Sequence, residues 1–158
     1  MHHNCEWVGN DVLRFNELFN LFLKDDARLT QRAAWPMSYC VIAHPEFMEG
    51  NFEKLVKNLE RKELHNSIKR NTVRLLQEIP IPSEYEGAVM NVCFQYLEST
   101  SEPVAVKAFS LTILGKLAEK YPEIIPEIKL QVEDQLPHQT AAFRQRAKEF
   151  LRKFGLRS

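Results

Sequence analysis

A pattern that returns after a fixed number of residues limits a fold more tightly than composition, because stacked repeats must bury equivalent positions each time. Aligned on Arg32, Lys69, Lys107 and Arg144, this chain repeats after steps of 37, 38 and 37 residues. In that register Phe15, Phe52 and Met90 coincide, as do Leu18, Leu55 and Cys93, then Phe19, Val56 and Phe94, then Phe22, Leu59 and Leu97. These columns lie at three- and four-residue spacing, so each unit opens with a helix that buries one stripe.

The register continues into a second helix. Ile68, Val106 and Phe143 align there, followed by Leu75, Ile113 and Phe150, then Leu76, Leu114 and Leu151, and finally Ile79, Leu117 and Phe154. Thr72, Ser110 and Ala147 form a column of small residues, which marks close helix-to-helix approach. The expected fold is therefore all-α, a stack of about four two-helix units over about 10–45, 46–81, 82–121 and 122–155, within a single domain spanning 1–158.

Breaks fall where helices are hard to continue: Lys24-Asp25-Asp26, His44-Pro45, Glu49-Gly50-Asn51, Pro80-Ile81-Pro82-Ser83, Ser99 to Pro103, Tyr121-Pro122 and Pro137-His138. Ser83 followed by Glu86 predicts a capping box, and Ser101-Glu102-Pro103 puts an acid and a proline in a first turn. Pro36 lies inside the second helix of the first unit, where its ring is expected to kink the helix.

The third unit carries the closest resemblance. Pro103-Val-Ala-Val-Lys-Ala-Phe-Ser-Leu-Thr-Ile-Leu-Gly-Lys-Leu-Ala118 resembles the second helix of a HEAT repeat, and the likeness extends over roughly residues 10–155. It implies a right-handed α-α superhelix whose second helices line a concave face. It also implies that an acid in the turn, six residues before the basic residue, bridges neighbouring repeats. Asp26 before Arg32 and Glu63 before Lys69 fit that pattern, whereas Ser101 and His138 depart from it.

Charge then becomes informative by position. The chain holds 21 basic and 21 acidic residues, so it has no net charge to steer it. Counted over the four second helices, however, fourteen bases face three acids, an excess of eleven positive charges. Arg28, Arg32, Lys69, Arg70, Arg74, Lys107 and Arg144 are the candidate binding residues, and Trp35 and Tyr39 form a candidate aromatic platform beside the first two. A ladder of inter-repeat ion pairs, a solvated helix face and core aromatics are the structural alternatives for the same residues.

The reading is a non-catalytic binding or scaffold module whose basic face meets an acidic protein segment or another phosphate-bearing macromolecule. Nucleic acid is the second candidate partner, by resemblance to HEAT-like DNA alkylation-repair proteins. No GxSxG, HExxH, Gly-rich phosphate loop or CxxC site is present, so neither an enzyme nor a cofactor is expected. Cys5, Cys40 and Cys93 are widely spaced without histidines at ligand spacing, which predicts free thiols rather than a metal site. Nothing in the opening residues reads as a secretory signal and no apolar run approaches a membrane span, so a cytoplasmic protein is the expectation.

Overall fold

The computed structural model describes residues 7–24 and 26–156, with the side chains of Ala27 and Trp35 outside that description. Among the described residues there are eight α-helices and no strand. They are α1 (Val12–Leu23), α2 (Ala27–Ala43), α3 (Phe52–Leu59), α4 (Asn66–Leu76), α5 (Ser83–Glu98), α6 (Val104–Lys120), α7 (Ile125–Gln135) and α8 (Ala141–Lys153). The chain divides into two compact units, Met1–Tyr85 and Glu86–Ser158.

In the first unit α2 packs on α1 and beside α4, and α3 pairs with α4. Asp11 caps α1 through the amide of Leu13 at 2.9 Å, and Asp26 caps α2 through Arg28 and Leu29 at 3.0 and 3.3 Å. Thr30 then ties the pair together, its hydroxyl donating to the carbonyl of Phe22 at 2.8 Å and so satisfying one end of α1. The predicted breaks at His44-Pro45 and Glu49-Gly50-Asn51 bracket only one 3-10 turn, Pro45–Met48, rather than a helix. The boundary between α3 and α4 carries neither glycine nor proline; there His65 caps α4, Nδ1 accepting from the Ser67 amide at 3.0 Å.

The columns α1 and α3 share are buried as expected, with Phe15, Leu18, Phe19 and Phe22 matching Phe52, Leu55, Val56 and Leu59. Two registers need correction. On α5 the buried stripe is Val89, Val92, Cys93, Tyr96 and Leu97, so Met90 and Phe94 lie only half-buried. On α2 the buried positions include Thr30, Ala34, Met37 and Val41, which places Arg32 opposite Arg70 rather than Lys69. The helix runs past the buried Pro36 to Ala43.

In the second unit α6 packs on α7 and α8. Val106, Ser110, Ile113 and Leu114 on α6, and Phe143, Ala147, Phe150 and Leu151 on α8, are all buried. Gly115 on α6 faces the Phe150 ring of α8, and a β-carbon built on it would sit 3.7 Å away, in ordinary van der Waals contact. The α8 helix stops at Gly155, whose φ of 68° favours glycine. There the amides of Gly155 and Leu156 bond back to Arg152 and Leu151, closing the helix end as a Schellman motif.

Candidate protein-interaction surface

In the first unit one stripe of α2 carries Arg28, Arg32, Tyr39 and Ile42, all exposed, opposite the buried Ala33, Met37 and Cys40. Trp35 falls on this stripe, but its side chain lies outside the described residues. On α4 the buried face takes Ile68, Thr72, Leu75 and Leu76, leaving Arg70 exposed and Lys69 and Arg74 half-buried. Among the described residues Arg28, Arg32 and Arg70 form no ion pair, whereas Lys69, Arg74 and Tyr39 each interact with other groups. Two helices packed side by side thus hold, in one unit, three guanidiniums without an ion pair among the described residues. Asp26 serves as the helix cap of α2.

In the second unit Lys107 is only 4% exposed, and its ammonium donates to the Ser99 carbonyl at 2.7 Å. Burial lowers its pKa against the opposing charge of Glu102. This lysine therefore serves the turn before α6, its long stem buried and its head tied to backbone. Arg144 is exposed on α8, as are Lys148 and Arg152. Arg146 instead donates to the Thr112 hydroxyl at 2.7 Å and lies 5.0 Å from the centre of the Phe109 ring, and Lys153 pairs with Glu119 at 2.8 Å.

Two features escaped the sequence reading. First, Glu86 does more than its spacing to Ser83 suggests. It is buried, and its Oε1 accepts from the Tyr121 hydroxyl at 2.7 Å and the Lys120 ammonium at 3.0 Å. These hydrogen bonds, Tyr121's foremost, lower the Glu86 pKa from its ordinary 4.5, and the bond to Glu86 raises both Tyr121 from 10.0 and Lys120 from 10.5. The depressed carboxyl contributes stability that is present above pH 4.5 and lost as pH falls through its folded value. The raised tyrosine and lysine contribute stability that is present below pH 10 and lost as pH rises through theirs. Melting temperature measured against pH is therefore expected to fall on both sides of that window, with Glu86→Gln flattening both limbs. The signal available in sequence was distance, since Lys120 and Tyr121 stand about one repeat after Glu86.

Second, a cleft of about 240 Å³ opens in the first unit, walled by Val41 near the end of α2, Met48 on the 3-10 turn, Phe52 at the start of α3 and Ile79 just past α4. Its walls are hydrocarbon apart from one acid. The thiols Cys40 and Cys93 are buried, with desolvation pushing Cys93 up to about 12, which leaves it an inert core side chain. Among the described residues no cluster of His, Cys, Asp and Glu could hold a metal ion, and no helix is long and apolar enough to cross a membrane.

A family model described as a HEAT repeat domain matches residues 1–153. No curated protein and no solved structure matches the chain.

Proposed function

The chain belongs to the HEAT repeat family, and from that premise we propose that it is a non-catalytic interaction module whose basic second helices receive an acidic protein segment. The observation that carries this reading is the set of exposed arginines on α2 and α4, Arg28, Arg32 and Arg70, without ion pairs among the described residues. Building such a charged face without internal partners costs self-repulsion, and a carboxylate-rich ligand relieves it. Lys69, Arg74 and Tyr39 border the same surface. Arg144 extends the proposal to the second unit as a separate basic position on α8, whereas Lys107 contributes through the turn it holds.

The test is a salt series. A fluorescein-labelled Glu-rich peptide is titrated with the full chain at rising ionic strength, in parallel with a duplex DNA of the same total charge. Tight binding of the peptide at low salt, weakening steadily as salt is added, is the expected result. Binding of DNA in clear preference to the peptide would transfer the surface to nucleic acid, and binding of neither at low salt would remove the proposal altogether.

A further inference from the structure

The ends of α5 and α7 meet in the second unit. Gln135, the last residue of α7, donates its side-chain amide to the Leu97 carbonyl at 2.7 Å, one residue before α5 stops. Next to this bond opens a polar cleft of about 410 Å³, within the roughly 300–1,000 Å³ of sites that hold a ligand. Glu98 and Asp134, each adjacent in sequence to one end of the bond, both line it, so the two carboxylates face one space.

The fixed charge around this space is mainly negative. Each helix C-terminus presents unsatisfied carbonyls equivalent to about half a negative charge. Neither α5 nor α7 has a basic residue in its last turn to offset them, whereas α3, α4, α6 and α8 do. Glu98 and Asp134 put acids there instead, opposing the dipoles, and among the described residues neither has a hydrogen bond or an ion pair. Glu102 adds a third acid to the wall, and Lys107 is its one permanent cation. The Lys107 ammonium has three donors, of which one meets the Ser99 carbonyl. The side chain is 4% exposed, and the other two donors have no acceptor among the described residues, a costly state for a buried charge.

We propose that this cleft binds an arginine or lysine residue of a partner chain, its cationic head on Glu98 and Asp134 and its backbone carbonyl accepting from Lys107. A basic residue carries both groups, joined by a flexible hydrocarbon stem. A carboxylate in place of the carbonyl would meet three acids, and a metal ion fits poorly, since no group of three His, Cys, Asp or Glu among the described residues could hold one. The half-buried Gln131, whose amide bonds to nothing among the described residues, offers a donor and an acceptor to the same ligand. Glu98 and Asp134 are exposed, which leaves the partner's backbone a way past the rim. The cleft attracts the opposite charge from Arg28, Arg32 and Arg70, so the inference is independent of the acidic-partner reading.

The test is an NMR titration of the full chain, isotopically labelled on nitrogen, with acetyl-arginine amide and with acetyl-norleucine amide, which keeps the carbonyl and lacks the charge. Saturable shifts of the Glu98, Thr100 and Gln131 amides with the first and none with the second are expected. Glu98→Gln combined with Asp134→Asn is expected to weaken arginine binding about tenfold. The same double variant is expected to melt at or slightly above the wild-type temperature, because both acids oppose a helix dipole. Absence of saturable shifts, equal shifts with the norleucine amide, or undiminished binding by the double variant overturns the site. A lower melting temperature of that variant would give the two carboxylates to the fold and overturn it too. Free arginine binding more tightly than the blocked form would assign the cleft to a small molecule. Self-association in sedimentation velocity that the double variant abolishes would assign it to a second copy of the chain, and either result overturns the partner-chain assignment.

Discussion

Phe143→Ala is expected to destabilise the second unit by about 3–5 kcal/mol, enough to lower its denaturation midpoint sharply. Phe143 is fully buried near the start of α8, in the column it shares with Ile68 and Val106, which are also fully buried. Removing the ring leaves a void in the close-packed core, and Ala147, one turn on along α8, offers only a methyl group to move in. A matched control is Leu130→Ala on α7, where the side chain is 67% exposed and the change is expected to stay within about 0.5 kcal/mol. Urea titrations followed by circular dichroism distinguish the two. A Phe143→Ala variant as stable as the Leu130→Ala control would mean that the repeat columns do not mark the core.

Those columns were legible in sequence because a stacked unit must present the same face again, and three of the four second helices keep one register. The errors fall where several registers satisfy the same pattern. Val89-Met90-Asn91-Val92-Cys93-Phe94 is apolar at almost every position, so spacing alone does not choose between Met90 and Val89 as the inward residue. Lys69 and Arg70 are adjacent bases, so aligning Arg32 to either one preserves the charge; the interval from Phe22 to Thr30, shorter by one residue than that from Leu59 to Ile68, decides for Arg70.

Side-chain fate was harder to read than helix position. Lys107 counts as a surface charge in any tally by helix, yet a carbonyl at the end of α5 lies within reach of its ammonium, and four methylenes bury readily on the way. Glu86 offers only a local capping role by its spacing to Ser83, whereas its buried Oε1 accepts from two donors about one repeat away. The apolar cleft combines a turn at Pro45 with the extended Ile79-Pro80-Ile81-Pro82 stretch, segments that only tertiary packing brings together. Arg32 and Arg70, in contrast, were legible because exposed helix bases with no acids at i±3 or i±4 have no local means of being neutralised.

The most direct measurement of the central claim is the affinity of the full chain for the Glu-rich peptide before and after the combined change Arg28→Glu, Arg32→Glu and Arg70→Glu. All three side chains are exposed and form no ion pair among the described residues, so circular dichroism and the melting midpoint are expected to stay close to wild type. Each reversal removes one attraction and adds one repulsion. Summed over three exposed sites, this predicts binding roughly thirtyfold weaker or more at low salt, with most of the salt dependence lost. A folded triple variant that binds the acidic peptide as tightly as wild type, with the same salt dependence, would contradict the assignment of the basic layer on α2 and α4 as the interaction surface.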